Sequence, residues 1–198
     1  MANAEFEEYL RRVIVSGDIT ERSAISFLKQ ISILEHIDPT KEIVVYIDTY
    51  GGNADAAIMM HDAIKICKCP ITTIGLGKVM SAGVLILSAG DEGSRFVTPN
   101  ARIMMHQLSG GSYGTTKDLD VFTNEIKRQQ NVFYDLVAFY SKNDKNQLLN
   151  NIMHDRYLSA EEAVEYGLAD FVLPYASEKN APKKAGNKKA KAVKKKKR

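Results

Sequence analysis

Apolar positions along the chain follow two rhythms. "RVIVSGDI" (12–19) and "ITTIGLG" (71–77) read as short strands, and "EIVVYID" (42–48) is a continuous β-branched run of the kind that fills a strand buried on both faces. Between them lie segments at helical spacing. In "TERSAISFLKQISILEHID", Ala24, Phe27, Leu28, Ile31 and Leu34 share one face, and Thr20 is placed to cap it. "TYGGNADAAIMMHDAIKICK" turns through Gly51-Gly52 into a helix carrying Ala57, Ile58, Ala63 and Ile64, and Pro70 ends that segment. "SAGVLILSAG" is an apolar helix closed by Gly90, and "RFVTP" and "ARIMMHQ" are two further strands. The order strand, helix, strand, helix, strand, helix predicts an α/β fold with largely parallel strands joined by crossovers.

After a glycine-rich stretch, "LSGGSYGTT" (108–116), the pattern changes scale. Residues 117–141 predict one long helix with Leu119, Phe122, Ile126, Phe133, Leu136, Val137 and Tyr140 as its apolar stripe. At 1.5 Å per residue it spans about 37 Å, long enough to leave the body and meet another subunit. In "SAEEAVEYG", Ser159 and Glu162 form a capping box and Gly167 a stop, and "LADFVLP" is the last strand. No internal repeat is visible.

Candidate chemistry gathers where elements change. Ser81 stands where a strand hands over to a helix, close to unpaired backbone N–H groups. It can be a helix cap or a nucleophile, and it does not fit the G-x-S-x-G elbow. A nucleophile needs a base. His36 and His61 fall among polar neighbours on helices and read as surface residues, and His154 lies in a polar turn. His106 ends an apolar strand that leads into glycines, where an imidazole can point into a cleft or rest against a backbone carbonyl. Asp48, Asp55, Asp91 and Asp155 all lie near element ends, and spacing does not choose an orienting acid among them. Gly51 and Gly52 follow a strand and precede a helix, so they offer either an oxyanion site or a tight turn.

Composition narrows the class. A chain of 198 residues suits one domain, and no apolar run is long enough to span a membrane. "MANAEFEEYLRR" has no apolar core and does not read as a secretory signal. Cys67 and Cys69 are too close for a relaxed disulfide and lack partners for a zinc site, so reduced thiols in a cytoplasmic protein are expected. The net charge of +3 conceals a division. Residues 176–198 hold 11 Lys/Arg and one Glu, about +10, which leaves about −7 for residues 1–175. The expectation is an acidic body, 1–175, followed by a disordered Lys-rich tail, 176–198. Such a tail is either a solvated extension or a weak tether to nucleic acid or another polyanion, without aromatic residues for base stacking.

The stretches "YIDTYGG", "GLGKVMSAGVLILSAG", "RIMMHQLSGG" and "DRYLSAEEAVEYGLAD" occur together, in order, and resemble the proteolytic subunit of the Clp protease, a serine peptidase family. The resemblance runs from about residue 10 to 174. It implies a crotonase-like α/β head with a projecting handle helix at 117–141. Carried residue by residue, it implies a catalytic Ser81, His106 and Asp155, an oxyanion hole from the N–H groups of Gly52 and Ala82, and substrate strands held near Gly51, Gly110 and Gly111. It further implies hydrolysis of unfolded polypeptides without metal or cofactor. Heptameric rings, stacked in pairs, would enclose the reaction, with an AAA+ unfoldase feeding the chamber.

Four departures accompany the resemblance. The chain begins close to the first matching strand, where the family has a longer segment that forms axial pore loops. Met153-His154 stand where an acidic residue and Arg commonly make ring–ring contacts. "DTYGG" replaces N-S-P-G-G and Ala82 replaces a usual Met, neither of which removes a backbone donor. The Lys-rich tail has no counterpart in the family pattern. Two other readings compete: an acyl-CoA hydratase or isomerase of the shared crotonase fold, which would keep the oxyanion glycines without needing the three side chains together, and a catalytically silent ring subunit.

Overall fold

The computed structural model describes residues 11–175; the Lys-rich tail at 176–198 lies outside the described residues. Strands β1 (Arg12–Ile19), β2 (Ile43–Gly52) and β3 (Ile71–Met80) alternate with helices α1 (Glu21–Ile37), α2 (Ala54–Ile66) and α3 (Ala82–Ser88). Then come β4 (Arg95–Val97), β5 (Arg102–Met105), the long α4 (Thr116–Ser141), α5 (Lys145–Asn151), β6 (Arg156–Leu158), α6 (Ala160–Glu165) and β7 (Phe171–Val172). The main sheet runs β1-β2-β3-β4-β7, all parallel, as expected when helical crossovers join the strands.

Local signals start the helices. Thr20 and Ser23 form a capping box on α1, Asn53 caps α2, Thr115 and Asp118 box α4, and Ser159 and Glu162 box α6. One face of the sheet then carries the core: Val13, Val15, Ile43, Val45 and Ile47 pack with Phe27 and Ile31 of α1 and Met60 and Ile64 of α2. All seven residues of α3 are buried, so it is the central helix of that layer. The uniform run at 42–48 predicts burial on both faces, but β2 alternates. Ile43, Val45 and Ile47 are buried, whereas Val44 and Tyr46 on the opposite face are half-exposed, because α1, α2 and α3 cover one side only.

β3 matters most for function. It continues to Met80, beyond the strand expected at 71–77, and it changes partners on the way. Thr73, Ile74 and Gly75 pair with β4, but Lys78, Val79 and Met80 pair with β5. Gly77, at φ +48, stands at the break, a left-handed geometry that glycine adopts without steric cost. β5 in turn pairs antiparallel with β6. The upper half of β3, β5 and β6 thus form a small ladder splayed from the main sheet.

The 26 residues of α4 extend about 39 Å. Its buried side chains, Phe133, Tyr134, Val137 and Ser141, all lie in the C-terminal half, while Leu119 and Val121 in the N-terminal half and Val132 beyond them are exposed. Helix α5 and strand β6 lie in a stretch where the sequence predicts no element. One buried side chain, Leu148, anchors α5, too little to produce a visible period.

Candidate active site

Three residues leave the splayed ladder at one edge. Ser81 follows the last residue of β3, His106 follows the last residue of β5, and Asp155 precedes the first residue of β6. Met80 pairs with Met104, and the Ser81 N–H donates to the Met104 carbonyl at 2.8 Å. The nucleophile candidate is thereby tied to the strand that delivers the base candidate. On the other side, Met105 opposes Arg156, so one step further along the antiparallel register His106 opposes Asp155.

Ser81 occupies the N-cap position of α3 but does not cap it. Its side chain makes no hydrogen bond to the helix. The Oγ lies 2.7 Å from Nε2 of His106. The backbone at Ser81 has φ 52 and ψ −120, one of two positive-φ non-glycine residues among those described. A side chain there costs on the order of 1–3 kcal/mol, and such strain concentrates at reacting residues. The sharp turn aims the hydroxyl away from the helix and across to β5.

Small residues make the turn possible. A Cβ on Gly51 would come within 2.7 Å of the Ser81 Cβ and 2.9 Å of the Met80 carbonyl oxygen, and Gly51 has φ +103. A Cβ on Gly83 would meet the Thr49 methyl at 2.5 Å. Thr49 is itself buried; its Oγ1 donates to the Gly17 carbonyl and accepts from the Gly51 N–H at 2.9 Å. Thr49 thus holds the glycine turn against the serine turn.

A cleft of about 360 Å³ opens at this edge. Ser81, His106, Gly52 and Ala82 line it, and α4 supplies Ile126, Gln129, Phe133 and Tyr134. Ala82 is the first residue of α3, so its N–H has no acceptor within the helix. Gly51 presses on the Ser81 turn instead of lining the cleft. In the glycine-rich stretch the lining residues are Leu108 and Ser109. Gly110 packs under Ile126, and nothing stands within 4 Å of a Cβ on Gly111.

Asp155 is exposed and makes no hydrogen bond with His106 among the described residues. It rides on an excursion, 142–166, whose two ends are clamped. Arg95 is buried and its Nη1 donates to the carbonyls of Tyr140 and Gly167. A Cβ on Gly167 would meet the Ser141 carbonyl oxygen at 2.4 Å. Asp170 holds the Arg95 guanidinium at 2.5 Å. Burial pushes the Asp170 carboxyl up, but the bonds from Arg95 and from the Gly93 N–H outweigh it and hold the pKa below the ordinary value.

Two residues stand apart from the expectations for their segments. His61 is buried, not on the surface: Nε2 meets the Tyr140 hydroxyl and Nδ1 meets Asp62, each at 2.8 Å, so both ring nitrogens are satisfied beneath α4. Tyr134 is buried at the cleft, and its hydroxyl donates to the His106 carbonyl at 2.7 Å. Position 134 follows Phe133 one residue off the apolar stripe, and only the polar tip of tyrosine hinted that it needed a partner. Among the described residues no group of three or more His, Cys, Asp and Glu side chains could hold a metal ion, and no helix is long and apolar enough to cross a membrane.

Comparison with known proteins identifies the family. The profile of the family described as Clp protease matches residues 6–176. The chain is 34% identical, over 175 residues, to the ATP-dependent Clp protease proteolytic subunit of Leuconostoc citreum (strain KM20), covering 87% of this chain and 88% of the relative. A crotonase-type head, a long projecting helix and a profile match over all of the described residues lead to one conclusion: the chain belongs to the Clp protease family.

Proposed function

We propose that this peptidase cleaves polypeptides by acyl transfer through Ser81, His106 and Asp155. The observation that carries the reading is the 2.7 Å contact between Ser81 Oγ and His106 Nε2 at a positive-φ turn opening into a cleft. Ser81 Oγ attacks the peptide carbonyl as His106 Nε2 takes its proton. The oxygen that gains negative charge is met by the N–H groups of Gly52 and Ala82. Collapse breaks the C–N bond, and Nε2 returns the proton to the departing amine. Water, deprotonated by the same nitrogen, then releases the acyl group. Asp155 holds the imidazole from the Nδ1 side; its register opposite His106 supports that role. A hydratase of the same fold has no use for the serine–histidine contact.

The reading extends to assembly. Exposed Leu119 and Val121 on the free half of α4, with Val132 beyond them, suit burial against a second copy, supporting heptameric rings, two of which would stack into a tetradecamer. An AAA+ unfoldase would supply unfolded chains, in keeping with the ATP dependence in the name of the Leuconostoc relative. Substrate would lie extended along Gly52 and the backbone of the 109–111 segment, held by main-chain hydrogen bonds. The domain is 1–175, with α4 as its handle. The free thiols of Cys67 and Cys69 support a cytoplasmic setting. The charge of the Lys-rich tail, which lies outside the described residues, supports weak polyanion contact, read as salt-dependent column retention lost on deleting 176–198.

A fluorophosphonate followed by peptide mass mapping tests the chemistry. Modification at Ser81 is expected. An unmodified Ser81 in assembled protein that hydrolyses peptides would overturn it.

A further inference from the structure

His106 stands at the start of a stretch, 106–115, that forms neither strand nor helix. Two side chains of α4 hold that stretch. The Tyr134 hydroxyl donates to the His106 carbonyl at 2.7 Å, and the Leu108 N–H donates to Gln130 Oε1 at 2.9 Å. Residues 130 and 134 are four apart, so they share one face of the helix and grip the chain two residues apart. Tyr134 is 2% exposed, and its ring meets Phe133 edge-on at 5.3 Å, which leaves the phenol little freedom.

We propose that Tyr134 is a positioning residue for the base of the reaction: its hydroxyl, with Gln130 as second grip, fixes the backbone at His106 so that Nε2 stays within reach of Ser81 Oγ. This rests on the serine–histidine reading above. Apolar packing alone does not call for tyrosine at 134, since phenylalanine or leucine would fill the same site. What only tyrosine supplies is a donor reaching a strand-end carbonyl inside the cleft wall. Burial, with a smaller contribution from Tyr166, raises the phenol's pKa above its ordinary value, so the hydroxyl keeps its proton at neutral pH. Without it, the His106 carbonyl lacks its side-chain partner and the imidazole gains freedom at the step most sensitive to position.

Tyr134→Phe keeps the ring and removes the donor. With a fluorogenic peptide, and with rates normalised to sites titrated by a fluorophosphonate, kcat is expected to fall about fivefold to tenfold while KM stays within about twofold. The rate of Ser81 phosphonylation should fall by the same factor, with native mass unchanged. Gln130→Leu should lower kcat by a smaller factor, and the double variant should lose less than the product of the two, because both groups hold one segment. Tyr140→Phe, a change on the same helix that removes the hydroxyl partner of His61 on α2, should leave kcat unchanged. If Tyr134→Phe does not assemble, Gln130→Leu carries the test, since its side chain is half-exposed. Per-site rates within about twofold of the parent in every variant that assembles would remove Tyr134 from this role. A parent that is never modified at Ser81 would instead refute the underlying chemistry.

Discussion

The two flanks of the His106 imidazole are built in opposite ways. On the Ser81 side everything is short-range and enclosed: a strand end, a strained turn, two glycines in close approach and a buried threonine that ties them. On the Asp155 side the residue is exposed, borne on the 142–166 excursion, which is clamped at its ends, anchored by Leu148 and Ile152, and paired to β5 through β6. The difference separates what local chain geometry can deliver from what depends on a longer, separately packed segment. A hydroxyl can be aimed by the turn it sits on. A carboxylate that must meet an imidazole across an antiparallel ladder depends on every residue between the clamps.

Substitutions can break this contrast, beginning with the largest effect. Ser81→Ala should reduce peptide hydrolysis by about 10⁴-fold or more while leaving native mass unchanged. Asp155→Asn should cost about 10³-fold or more if the exposed side engages as the template requires, read as kcat at saturating peptide. A loss below about tenfold would make Asp155 a bystander and the contrast one between an active flank and an idle one. Gly51→Ala strikes the enclosed flank. It forces a side chain into φ +103 and against Ser81, so a loss of about 10²-fold in kcat is expected, with phosphonylation slowed in parallel. Asp170→Asn reaches the open flank from behind, by leaving Arg95 without its counter-charge. It should lower stability by about 3 kcal/mol in denaturant titrations and change activity least.

The Asp170 pair also sets a sign for acid. Its carboxyl is held below the ordinary value in the folded protein, so it binds fewer protons than the unfolded chain. The stability it contributes is complete above the unfolded pKa of about 3.9 and is lost as pH falls through the lower folded value. Thermal melts of the parent and of Asp170→Asn should therefore converge below about pH 4.

How much of this could be read from the chain follows the same contrast. The strand-to-helix handover at Ser81 and the strand end at His106 are visible because hydrophobic period switches there and capping residues mark the next helix. Their pairing is not. The two positions are 25 residues apart in sequence, and only the order of several motifs, met as a family resemblance, suggested it. The extension of β3 to Met80 escapes because Gly77 and Lys78 read as a strand's end, whereas they mark a change of partner. Burial of His61 and Tyr134 escapes because both depend on where α4 lies, and helical period alone says nothing of what a helix covers. Excursion 142–166 was legible only at its capping box, since α5 and β6 each bury too little to set a rhythm.

The backbone at Ser81 carries one more consequence. Glycine at that position would relieve the unfavourable torsion and lose only a side chain that does no capping. A search that rewarded heat resistance alone would drift toward glycine there and, on the proposed chemistry, arrive at a sturdier protein without its nucleophile. Under the acyl-transfer role proposed for it, serine at position 81 trades a small, standing strain in the fold for turnover.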